Sequence, residues 1–161
     1  MAMTLVSTVT VGSGGAASIE FTNIAQTGKD LLIFISLRAS DAGAAFYGTN
    51  LGVNGGSIFD FTARRLIGDG STASSGTGLE FSVNAPNSTS NTFTNASFYI
   101  ANYTSTTNKS ISVDWVAENN ATASSQQLIA LRTTTTAAIT SFKIYDLNFV
   151  QHSSVSLYIV S

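Results

Sequence analysis

Apolar residues recur at every second position through most of this chain, in short runs separated by Gly, Asn, Ser and Thr. In "TLVSTVTV", Leu5, Val9 and Val11 fall on one parity; in "SIEFT", Ile19 and Phe21 do; in "SISVDWVAE", Ile111, Val113, Trp115 and Ala117 alternate with Ser112, Asp114 and Glu118. A period of two sends successive side chains to opposite faces of a strand. No window of eleven or more residues keeps a 3.6-residue apolar period, so strands are expected throughout and helices are not.

The same reading gives strands at "DLLIFISLR", "IFDFTARRL", "GLEFSVN", "ASFYIANY", "QLIALR", "ITSFKIY" and "SVSLYIV". In "IFDFTARRL" Phe59, Phe61 and Ala63 share a face. In "DLLIFISLR" both parities are apolar, with Leu31, Ile33, Ile35 and Leu37 on one side and Leu32 and Phe34 on the other, which reads as a central strand. The segments "VGSGGA", "VNGGS", "NAPNSTSN" and "NYTSTTNKS" read as turns. Eight to ten strands with one apolar face each must cover one another. The expected fold is all-β: an antiparallel two-sheet β-sandwich, jelly-roll-like, forming a single domain over residues 1–161. Residues 1–15 are a candidate arm or exchanged first strand, because Gly12 to Gly15 form a flexible joint.

Charged residues make up only 10% of the chain, against about a quarter in ordinary soluble domains, and 44 of the 161 residues are Ser or Thr. The surface is therefore covered by hydroxyls and amides. A net charge of −2 with scattered signs supplies no cationic footprint for nucleic acid. The absence of cysteine excludes disulfides and thiolate metal sites. No apolar run approaches the length of a membrane-spanning helix, and the start lacks the basic and apolar regions of a secretory signal. The expectation is synthesis in the cytoplasm with neither nucleic acid nor membrane as partner.

The stretch "RRLIGDGSTASSGT", residues 64–77, has the glycines of a phosphate cradle. It lacks the lysine that follows the second glycine in such a cradle and leads into a strand rather than a helix. It reads as a turn at Gly68, Asp69 and Gly70 followed by a polar loop up to Gly78. Arg64 and Arg65 are adjacent on a strand and point to opposite faces. One is expected to meet solvent or a neighbouring subunit, and the other to anchor a carboxylate such as Asp60 or Asp69. His152 lies in a polar turn with no nucleophile elbow anywhere in the chain. Asp114 and Glu118 stand about 13 Å apart on one strand, too far for a paired acid and base. Asp41 and Asp69 lie in oxygen-rich loops of the kind a calcium ion requires, with no further acids gathered near them in sequence. No catalytic, cofactor-binding or metal residue is assigned, and no enzyme activity is expected. Arg64, Arg65, Asp69, Tyr47 and Tyr103 are the interface candidates, the tyrosines as rings able to stack on a sugar, while Trp115 alternates with core residues and is expected to be buried.

The segments "RRLIGDGSTASSGTG" and "SFYIANYTSTTNKSISVDWVAENN", together with "FTNIAQTGKDLLIFISLRAS" and "FVQHSSVSLYIV", resemble those of small virion structural proteins of tailed bacteriophages. The resemblance runs from about Ile19 to Val160. It implies a structural component of the particle, located in the virion and carrying no catalytic residues. The small size and the lack of any coiled-coil segment favour a capsid decoration, or cement, protein that binds the major capsid protein as a homo-oligomer, a trimer. The alternative is a tail or tail-fibre component that binds host-surface glycans.

Overall fold

The computed structural model describes residues 2–57, 60–79, 81–118 and 124–161, the side chain of Glu118 excepted. Phe59, assigned above to a strand face, and the Glu118 carboxylate lie outside the described residues. Twelve strands follow in order: β1 (Met3–Thr10), β2 (Ala16–Phe21), β3 (Asp30–Leu37), β4 (Phe46–Val53), β5 (Phe61–Gly68), β6 (Ala73–Gly76), β7 (Phe81–Asn84), β8 (Thr94–Ile100), β9 (Ser110–Glu118), β10 (Ser124–Thr133), β11 (Phe142–Phe149) and β12 (Ser154–Val160). No α-helix occurs among the described residues.

They form two antiparallel sheets, an eight-stranded one in the order β1-β12-β3-β8-β9-β10-β5-β6 and a four-stranded one in the order β2-β11-β4-β7. The first four strands each pair with a strand from the second half of the chain: β1 with β12, β2 with β11, β3 with β8 and β4 with β7. A long antiparallel ribbon has thus been rolled so that its successive rungs alternate between two sheets, which is the jelly-roll arrangement. The remaining strands are insertions. The β5–β6 hairpin sits between β4 and β7 in sequence, and β9 and β10 sit between β8 and β11. All four insert strands add to one edge of the same sheet, through β8–β9, β9–β10, β10–β5 and β5–β6 pairing.

The expectation of a two-sheet, jelly-roll-like sandwich holds, with twelve strands in place of eight to ten. The two additional strands are β4 and β6. In β4, "FYGTNLGV", glycine replaces apolar residues and hides the alternation. A Cβ at Gly52 would lie 2.3 Å from the Gly56 carbonyl oxygen, so the strand needs glycine where the following turn folds back onto it. The "ASSG" of β6 has no apolar signal and looks like loop in sequence; register with Arg65 to Gly68 makes it a strand.

The core lies between the sheets. Phe81 from β7, Phe98 from β8, Trp115 from β9 and Phe142 from β11 stack across the interior, with ring centroids 5.0 Å apart for Phe81–Trp115, 5.6 Å for Phe81–Phe98 and 5.9 Å for Phe98–Phe142. Such pairs contribute about 0.5–1.5 kcal/mol each beyond simple burial. The Trp115 indole N–H donates to the Ser82 carbonyl at 2.6 Å, which satisfies the only polar atom of that buried side chain. Beyond β3 the chain leaves the long sheet: Arg38 bridges to Asn84 and Ala39 to Phe149, tying the two sheets at one end.

β1 pairs along its length with β12 of its own chain, with a bulge between Leu5 and Ser7.

Candidate interaction surface

The loop that resembled a phosphate cradle is occupied by the chain itself. β5 ends at Gly68, Gly70 adopts φ +89° to turn the backbone, and the Asp69 carboxylate collects the donors that an external anion would use. Its Oδ1 accepts from the amides of Thr72 (2.6 Å) and Ser71 (2.9 Å) and from the Ser71 hydroxyl (3.0 Å), while Oδ2 accepts from the Thr72 hydroxyl (2.8 Å). These bonds, the Thr72 amide first, hold the carboxyl well below the usual range. The loop is a self-satisfied turn, and the arginine partner expected for Asp69 is replaced by the amides and hydroxyls of its own loop. Asp60 Oδ2 likewise accepts from the Ser57 amide at 2.8 Å. Asp41 accepts from the Asn148 amide and side chain at 2.9 and 3.2 Å. No group of three or more His, Cys, Asp or Glu able to hold a metal occurs among the described residues.

The tyrosine candidates divide in the same way. Tyr103 is fully buried, and its hydroxyl donates to the Ala25 carbonyl and accepts from the Gly28 amide at 3.3 Å. Its assignment to an outward contact is therefore corrected: the ring is a core element that fastens residues 101–109 to the chain ahead of β3. Next to it, Lys109 is buried, with its ammonium in a ring of backbone carbonyls from Ser105 (2.7 Å), Thr107 (2.5 Å), Ala137 (3.0 Å) and Thr136 (3.1 Å). Burial lowers its pKa. Tyr47 keeps its hydroxyl on the Ala42 carbonyl within its own loop. His152 sits in the exposed β11–β12 turn at φ +72°, its amide donating to the Val11 carbonyl at 3.0 Å.

Arg38 repeats the lysine's solution. Its guanidinium donates to the carbonyls of Thr92 (2.8 Å), Thr89 (2.9 Å) and Ala85 (3.0 Å), pinning the loop between β7 and β8. With so many donors and acceptors consumed internally, these loops are braced, and the free chemistry lies on the long sheet.

Strand register places one face of that sheet outward. A single cross-sheet row runs Thr8, Ser156, Phe34, Ser97, Asp114, Leu128, Leu66, Ser75, one residue per strand. The row beside it runs Leu5, Tyr158, Leu32, Tyr99, Ser112, Ala130, Arg64. Each row carries one charge, Asp114 in the first and Arg64 in the second. The full width is roughly 34 Å at about 4.8 Å per strand.

Two apolar areas stand out on this face. Leu66 and Leu128, directly paired, are 60% and 54% exposed. They line a shallow groove of about 470 Å³ with Arg64 and Arg65, so the structure does bring the two arginine candidates to one surface feature. Arg65 points toward the inner side and packs over Gly78. The second area holds Phe34, 42% exposed and in edge contact with Tyr158 at 5.8 Å, together with Leu32 and Tyr99. The double apolar parity of β3 indicates a central strand, and β3 does lie between β12 and β8. The second sheet covers only its inner face, which leaves Phe34 at the surface.

At the edge of this area the buried Asp30 accepts from the Tyr99 hydroxyl at 2.5 Å and from the Asn102 amide at 2.8 Å. Burial pushes the Asp30 carboxyl up, but those two hydrogen bonds and the neighbouring Lys29 outweigh it and leave it below its ordinary value. The Tyr99 hydroxyl, bonded to that carboxylate, is raised.

Comparison of the chain with known protein families, with curated proteins and with solved structures finds no match to any of the three. The functional reading therefore rests on this surface and on the resemblance stated above.

Proposed function

We propose that the protein is a structural module of a bacteriophage virion, a capsid decoration protein that lays the outer face of its eight-stranded sheet on the major capsid shell. The observation that carries this reading is the face itself: wide, hydroxyl-rich, bearing two charges in its fifteen central positions, with apolar areas toward both ends. A surface of this kind suits contact by shape, apolar burial and hydrogen bonding. Rigid loops whose polar groups are already paired suit a part that must hold its form in an assembly. Many copies acting together would convert a modest individual affinity into a durable grip.

The test is quantitative protein content of purified virions together with rebinding. Hundreds of copies per particle, and loss of rebinding to stripped shells on Leu128→Lys with the domain still folded, are the expected results. A few copies per particle, or rebinding unaffected by that change, would remove the decoration reading.

A tail component that binds host glycans is the second reading, favoured by the exposed rings of Phe34 and Tyr99 and the half-buried ring of Tyr158 on one face. In that case purified protein binds host lipopolysaccharide or capsule, and Phe34→Ala abolishes binding, whereas Tyr103→Phe leaves it intact.

A further inference from the structure

The four sheet edges are protected unequally. β6 and β7 are four residues long, and β2 carries Glu20. Short length and charge are the usual means of preventing edge-to-edge association. β1 has neither: it runs eight residues as "MTLVSTVT", and its one protective irregularity is the bulge between Leu5 and Ser7. Its apolar side chains are exposed on both faces, Met3 by 53%, Leu5 by 50% and the bulged Val6 by 41%.

We propose that the free edge of β1 is a self-association site, pairing antiparallel with β1 of a second copy across a two-fold axis so that two eight-stranded sheets join edge to edge. Hydrogen-bond alternation fixes which groups are available. Ala2 and Ser161 exchange both backbone bonds, at 3.0 and 2.9 Å, and Val11 donates to Ser153 at 2.8 Å. Counting inward from each end with the bulge included, Thr4, Ser7 and Val9 bond to β12, and the amides and carbonyls of Met3, Leu5, Thr8 and Thr10 point away. That outward set maps onto itself when the strand is reversed: Met3 meets Thr10 of the second copy, and Leu5 meets its Thr8. The match is what an isologous contact requires.

The occupant is a second copy rather than a different strand because the edge is self-compatible in charge. The first charged residue of the chain is Glu20, and β12, the neighbouring strand, carries none, so two such edges meet without like-charge repulsion. The contact is about 26 Å long and about 10 Å thick, which gives roughly 300 Å² per copy. That is well below the roughly 800 Å² per partner of a standard interface, so the dimer is weak and concentration-dependent. The pairing does not rest on the capsid reading.

Sedimentation equilibrium of the full chain from about 1 µM to about 1 mM tests it. The wild type is expected to pass from monomer to dimer within that range. Thr8→Pro removes an outward amide while leaving the β12 ladder intact, and Leu5→Lys places two cations at the two-fold contact; each is expected to weaken dimerisation at least about tenfold. Thermal unfolding of each variant at low concentration establishes that the domain is folded, and Leu5→Lys decides the matter if the proline variant does not fold. A wild type that stays monomeric at the highest concentration, a closed trimer, or a dimer unaffected by Leu5→Lys overturns the proposal.

Discussion

The loop end of the sandwich and the outer face of the long sheet invert one another. At the loop end, residues a sequence reader assigns to the surface are inside: Tyr103 and Lys109 lie in a threonine- and asparagine-rich segment, yet both are fully enclosed and hydrogen-bonded to backbone. On the outer face, large apolar side chains are outside, with Leu66, Leu128 and Phe34 open to solvent. The difference teaches where recognition belongs. A loop that spends its donors and acceptors on its own frame is a brace, whereas a sheet face with unspent apolar surface is available to a partner.

The largest expected effect breaks the brace. Lys109→Met leaves carbonyls of Ser105, Thr107, Thr136 and Ala137 without their shared donor in a buried site, and each unsatisfied acceptor costs about 1–3 kcal/mol. Because several of these groups can recover water on local opening, a net loss of roughly 3–5 kcal/mol in urea unfolding is expected. A loss below about 1 kcal/mol would mean that the ring of carbonyls does not hold the loops.

Asp30→Asn comes next. It replaces a carboxylate that accepts from Tyr99 and Asn102, and charge-assisted bonds of this kind contribute about 1.5–3 kcal/mol. Because folding holds the Asp30 carboxyl below its ordinary 3.8, its contribution is complete above that pH and is lost as pH falls through the lower folded value. The stability gap between wild type and Asp30→Asn should therefore be constant near neutrality and narrow in acid below about pH 4. A gap that widens in acid would contradict the assigned direction.

Tyr103→Phe keeps the ring and removes only the hydroxyl that joins Ala25 and Gly28, so a loss of about 0.5–1.5 kcal/mol is expected. The outer face supplies the smallest stability effect. Leu66→Lys and Leu128→Lys should each lie within about 0.5 kcal/mol of wild type, since both side chains are already more than half exposed. Their effect is expected in partner binding, and a large loss of stability from either would mean that the face contributes to the fold itself.

Much of the architecture was legible one strand at a time. Ten of the strands show in the alternation, and Trp115 is buried as its parity indicates. β4 and β6 were not legible, because glycine and serine carry no apolar signal and only register with a neighbour defines them. The interface candidates fared unevenly. Arg64 and Arg65 reach a common groove, Asp69 is bonded within its own turn, and Tyr103 is in the core. Leu66 and Leu128 carry no assignment in the sequence, and Phe34 shows there only as the second apolar side of a central strand, because an apolar residue on a strand looks the same in sequence whether its face is covered or open.

Local chemistry in the sequence determined the strand content, the positions of most turns, the absence of thiol chemistry and the hydroxyl-rich surface, since alternation and turn propensity act over a few residues. Only the tertiary structure decided that β1 meets β12, that both insertions extend the same sheet, and that the second sheet stops at four strands. Pairing between distant strands depends on which faces find cover, and with eight strands in one sheet against four in the other, part of the apolar surface is left uncovered.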